Sequence, residues 1–195
     1  MAESVRGEKT RNEIISSALR LFALHGYSNT SMSDLLEAVS LSKGAFYHHF
    51  RSKEALALAV LESVRDEYNR ELAGWGDGRL IDMLDRMVQL NSSGKWSNCL
   101  LLVRFVNEVA GKEDDLSRSV GEILEWLTGC WEDAIKASKE AGELSVECDS
   151  RRMSEMILAM IFGAVANGGF GEEVSSLGRV VSVFKSEVLN MNQKA

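Results

Sequence analysis

The sequence predicts an all-α fold of about nine helices. Its 195 residues include no proline, so no helix is interrupted by that residue. Apolar residues recur at spacings of three and four along most of the chain, and the strict alternation of a half-buried strand is absent. With 45% hydrophobic residues the chain can bury a core, yet no apolar run reaches the roughly 18 residues of a membrane span. We therefore expect a helical protein with no membrane partner.

The first helix is predicted around one apolar stripe. Thr10 and Glu13 have the spacing of a capping box and are expected to begin it. His25 followed by Gly26 is a typical helix end, because a cation-capable residue suits the last turn and glycine tolerates a left-handed backbone. The stripe between these signals consists of Ile14, Ile15, Ala18, Leu19 and Phe22.

Two short helices follow almost at once. Ser31 and Asp34 form a second capping box, which begins a helix of only two turns. Ser42 is expected to cap a third helix that buries Phe46 and, just past its end, Phe50.

The rest of the chain predicts longer helices. Ser52 is expected to cap a fourth helix, which ends near "GWGDG". The glycine-containing and polar segments beyond it separate five more helices, at roughly 78–92, 98–110, 115–141, 150–168 and 172–190.

Charge is distributed unevenly along the chain. Residues 1–55 carry seven Lys or Arg and six Asp or Glu, a net charge of +1, whereas the remainder carries 15 and 23, a net charge of −8. This asymmetry indicates two regions with different partners. The three cysteines do not suit a disulfide framework in a chain of this size, which favours a reducing compartment and a cytoplasmic location.

The second and third predicted helices have the spacing of a helix-turn-helix, in which the second helix presents its N-terminal turn to the DNA major groove. Gly44 would let the backbone approach a phosphate or a base, and Ser42 with the N–H groups after it would bind an anion. Lys43 supplies charge, while Tyr47 and His48 supply hydrogen-bond donors.

The residues alone also leave two alternative roles open for this polar helix. It could be an ordinary solvent-exposed surface, or His48 and His49 could bind a metal ion. Adjacent helical residues point about 100° apart and do not converge on one ion, so the sequence predicts no metal site. His49 is expected to pack or face solvent.

Residues 10–56, "TRNEIISSALRLFALHGYSNTSMSDLLEAVSLSKGAFYHHFRSKEAL", resemble the DNA-binding domain of the TetR family of bacterial transcriptional regulators. The resemblance implies a DNA-binding domain at 8–68, with the helix-turn-helix at about 31–50, and a ligand-binding and dimerisation domain at 69–195. It implies a homodimer that binds a double-stranded DNA operator and a small-molecule inducer. It implies no cofactor. The DNA contacts that it implies are Ser31, Ser42, Lys43, Gly44, Tyr47, His48 and Lys53.

One position departs from the family pattern. The family commonly has glycine at the turn between the two helices, and this chain has Ser40. If Ser40 is left-handed, its strain is about 1–2 kcal/mol.

The last two helices are candidates for a dimer interface. Ala159, Gly163, Ala166 and Phe170 share a helical face, and small residues let two helices approach closely. The alternative is an internal helix pair within a monomer, but TetR-like proteins form a four-helix bundle from their last two helices, so the resemblance favours a dimer. The final helix offers Val174, Leu177, Val181, Phe184 and Val188.

The middle helices are expected to enclose a ligand pocket. Its candidate residues are large and apolar, and each could equally be ordinary core: Trp96, Phe105, Trp126 and Met160.

Cys99 is a candidate sensor. It follows Asn98 at a helix start, where backbone dipoles favour a thiolate. "NCLL" and the later "NEVA" resemble a TetR subgroup with Cys-Leu-Leu at this point, some of whose members sense electrophiles or oxidants, although that subgroup usually has glycine before the cysteine. The alternative is a small buried apolar residue. Cys130 and Cys148 are expected to be structural or incidental.

These observations favour a repressor that a ligand, or modification of Cys99, releases from a palindromic operator. A helical protein-interaction adaptor and a thiol-dependent enzyme are the alternatives. All three histidines lie in the first 55 residues, and no carboxylate–histidine–nucleophile arrangement is readable, so no catalytic residue is predicted.

Overall fold

The computed structural model describes residues 2–73, 78–92, 97–167 and 176–192, and over these ranges the fold is all-α, as predicted. No helix in these ranges combines the length and the apolar character that a membrane span needs. The helices are α1 (Ala2–His25), α2 (Met32–Val39), α3 (Lys43–His49), α4 (Lys53–Ala73), α5 (Leu80–Ser92), α6 (Ser97–Val109), α7 (Asp115–Glu140), α8 (Ser150–Asn167) and α9 (Ser176–Asn192).

Helix α1 is longer than predicted. It begins at Ala2, so Thr10 lies inside it, and the Thr10 hydroxyl donates to the Arg6 carbonyl at 3.1 Å. The prediction that Thr10 and Glu13 cap this helix is therefore wrong. The preceding residues "AESVRGEK" include several good helix formers, which extend the helix without an apolar stripe. The predicted end is confirmed, since α1 ends at His25 and Gly26 has φ +84°.

The packing divides the chain into two compact units. The first comprises residues 1–68 and 100–121, and the second comprises 69–99 and 122–195. Helix α6 therefore begins in the second unit and continues in the first. The assignment of 8–68 to DNA binding and of 69–195 to ligand binding and dimerisation stays a prediction, because these units are defined by packing and not by function.

Each unit has its own apolar core. In the first unit α1 packs against α2, and Phe22, Leu35 and Phe46 are completely or almost completely buried. In the second unit α9 packs against both α5 and α8. The second core includes Leu80, Leu84, Trp131, Ile135, Ile157, Ile161, Leu177 and Val181.

Ser40, at the end of α2, is left-handed with φ 52° and ψ 37°. Its N–H donates back to the Glu37 carbonyl at 3.1 Å, which closes the helix and directs the chain toward α3. Among the described non-glycine residues it has the one positive φ. The strain that the sequence predicted at this turn is therefore present.

Replacing Ser40 by glycine is expected to stabilise the protein by up to about 1 kcal/mol. Relief of about 1–2 kcal/mol of left-handed strain exceeds the entropic disadvantage of glycine in the unfolded chain. The free energy of unfolding from urea titrations measures the change. Ser33→Gly, at an exposed position inside α2, is the matched control and should destabilise by about 0.5–1 kcal/mol. If the S40G protein were no more stable than wild type, Ser40 would not carry the proposed backbone strain.

Candidate nucleic-acid interface

Helix α2 begins at the predicted capping box. The Ser31 hydroxyl accepts the Asp34 N–H at 3.2 Å, and the Asp34 carboxylate accepts the Ser31 N–H at 2.7 Å. The side-chain and backbone hydrogen bonds with Ser31 lower the pKa of Asp34. Since the carboxylate is then ionised at neutral pH, it also complements the positive end of the helix.

Helix α3 is attached to the first unit along one side only. Phe46 is fully buried and Phe50 is 4% exposed, and their ring centroids lie 6.1 Å apart. The Ser42 hydroxyl caps the helix by accepting the Ala45 N–H at 3.3 Å. The two buried rings therefore hold a helix of seven residues whose N-terminal turn is exposed.

The exposed side of α3 carries most of the predicted DNA contacts. Ser42, Lys43, Gly44, Tyr47 and His48 are all exposed. Apart from the adjacent residues and the backbone of α3 itself, no described heavy atom lies within 4 Å of the position that a Cβ would take at Gly44, so this glycine is not required by packing. Its backbone is accessible from solvent, as a close approach to DNA requires.

The other two predicted contacts have partners within the protein. The Ser31 side chain is exposed but engaged in its cap. The Lys53 ammonium, at the start of α4, donates to the carbonyls of Tyr27 (2.8 Å) and Thr30 (2.9 Å). It also lies 4.3 Å from the centroid of the Tyr27 ring. Burial lowers the pKa of Lys53, and Glu108 opposes this effect.

The predicted pocket residues are not all brought together. Cys99 and Met160 belong to the apolar cluster of the second unit, where Cys99 is 1% exposed and Met160 is partly buried. Trp126 is half-buried on α7. Phe105 belongs to the first unit, is fully buried, and contacts the rings of Phe22 and Tyr27. Trp96 lies outside the described residues.

The second unit contains a cavity of about 250 Å³ that sequence reasoning missed. It lies beside the start of α5 and the end of α7, where the Arg79 guanidinium pairs with Glu143 and the Ser138 hydroxyl accepts the Leu80 N–H at 3.0 Å. Residues separated by about 60 positions form it, so no local pattern indicates it. Its lining includes none of the predicted pocket residues.

Comparisons with known proteins agree with this geometry. The sequence model described as "Bacterial regulatory proteins, tetR family" matches residues 14–60, which include α2 and α3 completely. The HTH-type transcriptional repressor Rv1474c of Mycobacterium tuberculosis (strain ATCC 25618 / H37Rv) is 27% identical over 181 residues, which cover 91% of this chain and 92% of that protein. The chain belongs to the TetR family of transcriptional regulators. It is therefore a regulator and not an enzyme.

Two further proteins resemble most of the chain. The repressor NemR of Escherichia coli (strain K12) is 26% identical over 163 residues, covering 80% of this chain and 81% of NemR. The crystal structure of reduced E. coli NemR has a TM-score of 0.76 at 24% identity, covering 91% and 96% of the two chains. The structure of AibR in complex with isovaleryl coenzyme A and operator DNA has a TM-score of 0.71 at 19% identity, covering 92% and 98%. Both structures share the fold of this TetR-family chain.

Proposed function

We propose that this TetR-family regulator is a transcriptional repressor that binds a palindromic operator as a homodimer and is released by a small-molecule ligand. The observation that carries the proposal is the presentation of α3, whose buried Phe46 and Phe50 leave Lys43, Gly44 and Tyr47 exposed. A short helix held in this way has the form that major-groove readout requires.

Within this proposal, most contacts bind phosphate and set the register. Lys43 and Gly44, in the first turn of α3, are closest to base edges. Ser31, Ser42, Tyr47 and His48 bind the sugar-phosphate backbone. Lys53 contributes mainly by fixing the turn between α1 and α2, because its ammonium already donates two hydrogen bonds to that turn.

The proposed dimer uses α8 and α9. These helices pack against each other, and their outer surfaces expose apolar side chains that a partner copy would cover. Met156 is 52% exposed on α8, and Val180 and Val183 are 37% and 62% exposed on α9. Ala159, Gly163 and Ala166 are also exposed, which would let the partner's helices approach closely. A two-fold dimer places two recognition helices about 34–36 Å apart. Because the two helices are related by symmetry, the DNA site that they bind is palindromic.

The ligand is proposed to act through the second unit. Cys99, Trp126 and Met160 remain the candidate residues there, and Trp96 is a further candidate from the sequence, whereas Phe105 lies in the first unit. The AibR structure contains an acyl-coenzyme A together with operator DNA, which supports small-molecule control in a protein of this fold. The burial of Cys99 favours binding of a ligand over direct attack on the thiol, which would first require the core to open.

Selection of genomic fragments bound by the purified protein tests the proposal. We expect enrichment of one or a few palindromic sites, with affinity that falls steeply as salt rises because bound phosphates release counterions. Cross-linking and sedimentation of the complex should show two chains per site. Failure to enrich any site would favour the helical adaptor over the repressor.

Replacing Cys99 by alanine is expected to keep release by the inducer, because the proposed release needs no covalent step at this thiol, and to lower the free energy of unfolding by about 1 kcal/mol, the loss for one small buried group. Fluorescence anisotropy of operator DNA, titrated with inducer or with an electrophile such as N-ethylmaleimide, measures release. Cys130→Ala is the matched control. In the wild-type protein, burial is the main cause that raises the pKa of the Cys130 thiol. Electrophile-driven release that is lost in C99A but kept in C130A would instead establish modification of Cys99 as the switch.

A further inference from the structure

The turn between α1 and α2, residues 26–30, is bound by the side chain of Glu108 from the C-terminal end of α6. The Tyr27 N–H donates to Glu108 Oε1 at 2.9 Å, and the Ser28 N–H donates to Glu108 Oε2 at 2.6 Å. Each carboxylate oxygen of Glu108 thus accepts one N–H from two successive residues, which lie 81 and 80 positions earlier in the sequence. All of these residues belong to the first unit.

Gly26 makes room for this carboxylate. Its φ of +84° is a conformation that L side chains rarely adopt, and a Cβ built on it would lie 2.1 Å from Glu108 Oε1. The carboxylate therefore occupies the space that any other residue would fill. Glycine at this position serves both the backbone conformation and the approach of Glu108.

The carbonyl groups of the same turn are bound by a cation. The Lys53 ammonium, at the start of α4, donates hydrogen bonds to the carbonyls of Tyr27 and Thr30. An ammonium group has donors only, so it suits carbonyl oxygens. The turn is thus held by an anion on its amides and a cation on its carbonyls. Thr30 adds a hydrogen bond from its own hydroxyl to the Gly26 carbonyl at 2.7 Å.

Apolar contacts seat α6 on this turn independently of the carboxylate. The rings of Phe22, Tyr27 and Phe105 form a cluster with centroid distances of 5.6–5.9 Å. Loss of the carboxylate therefore leaves the aromatic packing in place and removes only the polar constraint on the turn.

We propose that Glu108 is a positioning residue for operator binding, which acts by holding the turn 26–30 so that α2 and α3 keep the orientation that DNA requires. The turn leads directly into Ser31, the N-cap of α2, and α2 leads through Ser40 into α3. A change in the path of the turn therefore changes the start of α2. This inference rests on the proposed function, because it concerns the same DNA-binding surface.

Glu108→Gln tests the role with almost no change in side-chain size. The amide replaces one carboxylate oxygen by an NH2 group, so in the same position it would face one of the two N–H groups with a donor instead of an acceptor. Loss of a charge-assisted hydrogen bond should lower the binding-competent fraction, and we expect about tenfold weaker binding to the selected operator fragment. Glu113→Gln, at an exposed position just after α6, removes the same charge and should bind like wild type.

The decisive readout is the ratio of specific to non-specific DNA affinity. A positioning role lowers operator affinity and leaves binding to a scrambled duplex of equal length unchanged, so the ratio falls about tenfold. A merely structural role reduces the folded fraction and weakens both affinities equally. An unchanged ratio in E108Q would overturn the proposal.

Hydrogen exchange without DNA separates this proposal from the proposed function. We expect faster exchange of the Tyr27 and Ser28 amides and of the first turn of α2 in E108Q than in E113Q. Equal exchange in the two variants would overturn the role of Glu108 whether or not an operator exists. If the wild-type chain enriched no genomic site, the proposed repressor function would be contradicted instead. The hydrogen-exchange comparison would still test whether Glu108 holds the turn 26–30.

Discussion

Replacing Lys43 and Tyr47 together by alanine is expected to weaken operator binding by about 30-fold or more. Each side chain is exposed on α3, and Tyr47 is 41% exposed, so both can reach DNA. A lost contact to a base or a phosphate costs about 1–3 kcal/mol, and two such losses multiply the dissociation constant by at least the stated factor.

The stability of the K43A/Y47A protein should remain within about 1 kcal/mol of wild type, because exposed positions contribute little to folding. The Tyr47 ring does contact the buried Phe46 ring edge to face, at a centroid distance of 5.7 Å, which accounts for the small residual cost. Thermal unfolding checks this point before any binding measurement.

Salt titration separates the two contributions to binding. Loss of one phosphate contact reduces the slope of log affinity against log salt by about 0.9, whereas loss of a base contact leaves the slope unchanged and relaxes the sequence preference. Lys112→Ala, which removes the same charge from an exposed position after α6, is the control and should bind the operator normally. Operator affinity in K43A/Y47A equal to that of the control would exclude α3 as the reading helix.

The local features of the helix-turn-helix could be predicted because each depends on residues three or four positions apart. Ser31 and Asp34 form their capping box, and Ser42 caps α3, as their spacing indicated. The predicted limits of α5 to α8 agree with the structure to within two residues, since apolar periodicity and turn residues mark them. These signals are contained within single helices and their ends.

Features that depend on distant residues could not be predicted. The sequence offers Phe105 as one of several aromatic candidates for a ligand pocket, and the structure packs it against Phe22 and Tyr27. Nothing in the spacing of Glu108 indicates that it binds amides 80 and 81 residues earlier. The family resemblance implies a DNA contact for Lys53, whereas its hydrogen bonds to the turn 26–30 depend on the fold, which brings α4 beside that turn.

Replacing Gly26 by alanine is expected to lower the free energy of unfolding by about 3 kcal/mol. The left-handed backbone alone contributes about 1–2 kcal/mol of strain in any L residue. The new Cβ also displaces the Glu108 carboxylate, which ends a flexible side chain and can move away, but only by losing the hydrogen bonds from Tyr27 and Ser28. Because water can partly replace these bonds at an exposed turn, their loss adds about 1–2 kcal/mol rather than the full value of two charge-assisted bonds.

A double-mutant cycle tests this division of the cost. In a Glu108→Ala background the carboxylate is already absent, so Gly26→Ala should cost only the backbone strain, about 1–2 kcal/mol. Urea titrations of the four proteins measure the coupling, and Gly121→Ala in α7, where a Cβ meets open space, should stabilise by about 0.5–1 kcal/mol as the control. Equal costs of G26A in both backgrounds would mean that the carboxylate does not occupy this space in solution. A coupling of about 1–2 kcal/mol would instead show that a single side chain of α6 stabilises the turn before α2. A displacement of Glu108 would then change the start of the helix-turn-helix.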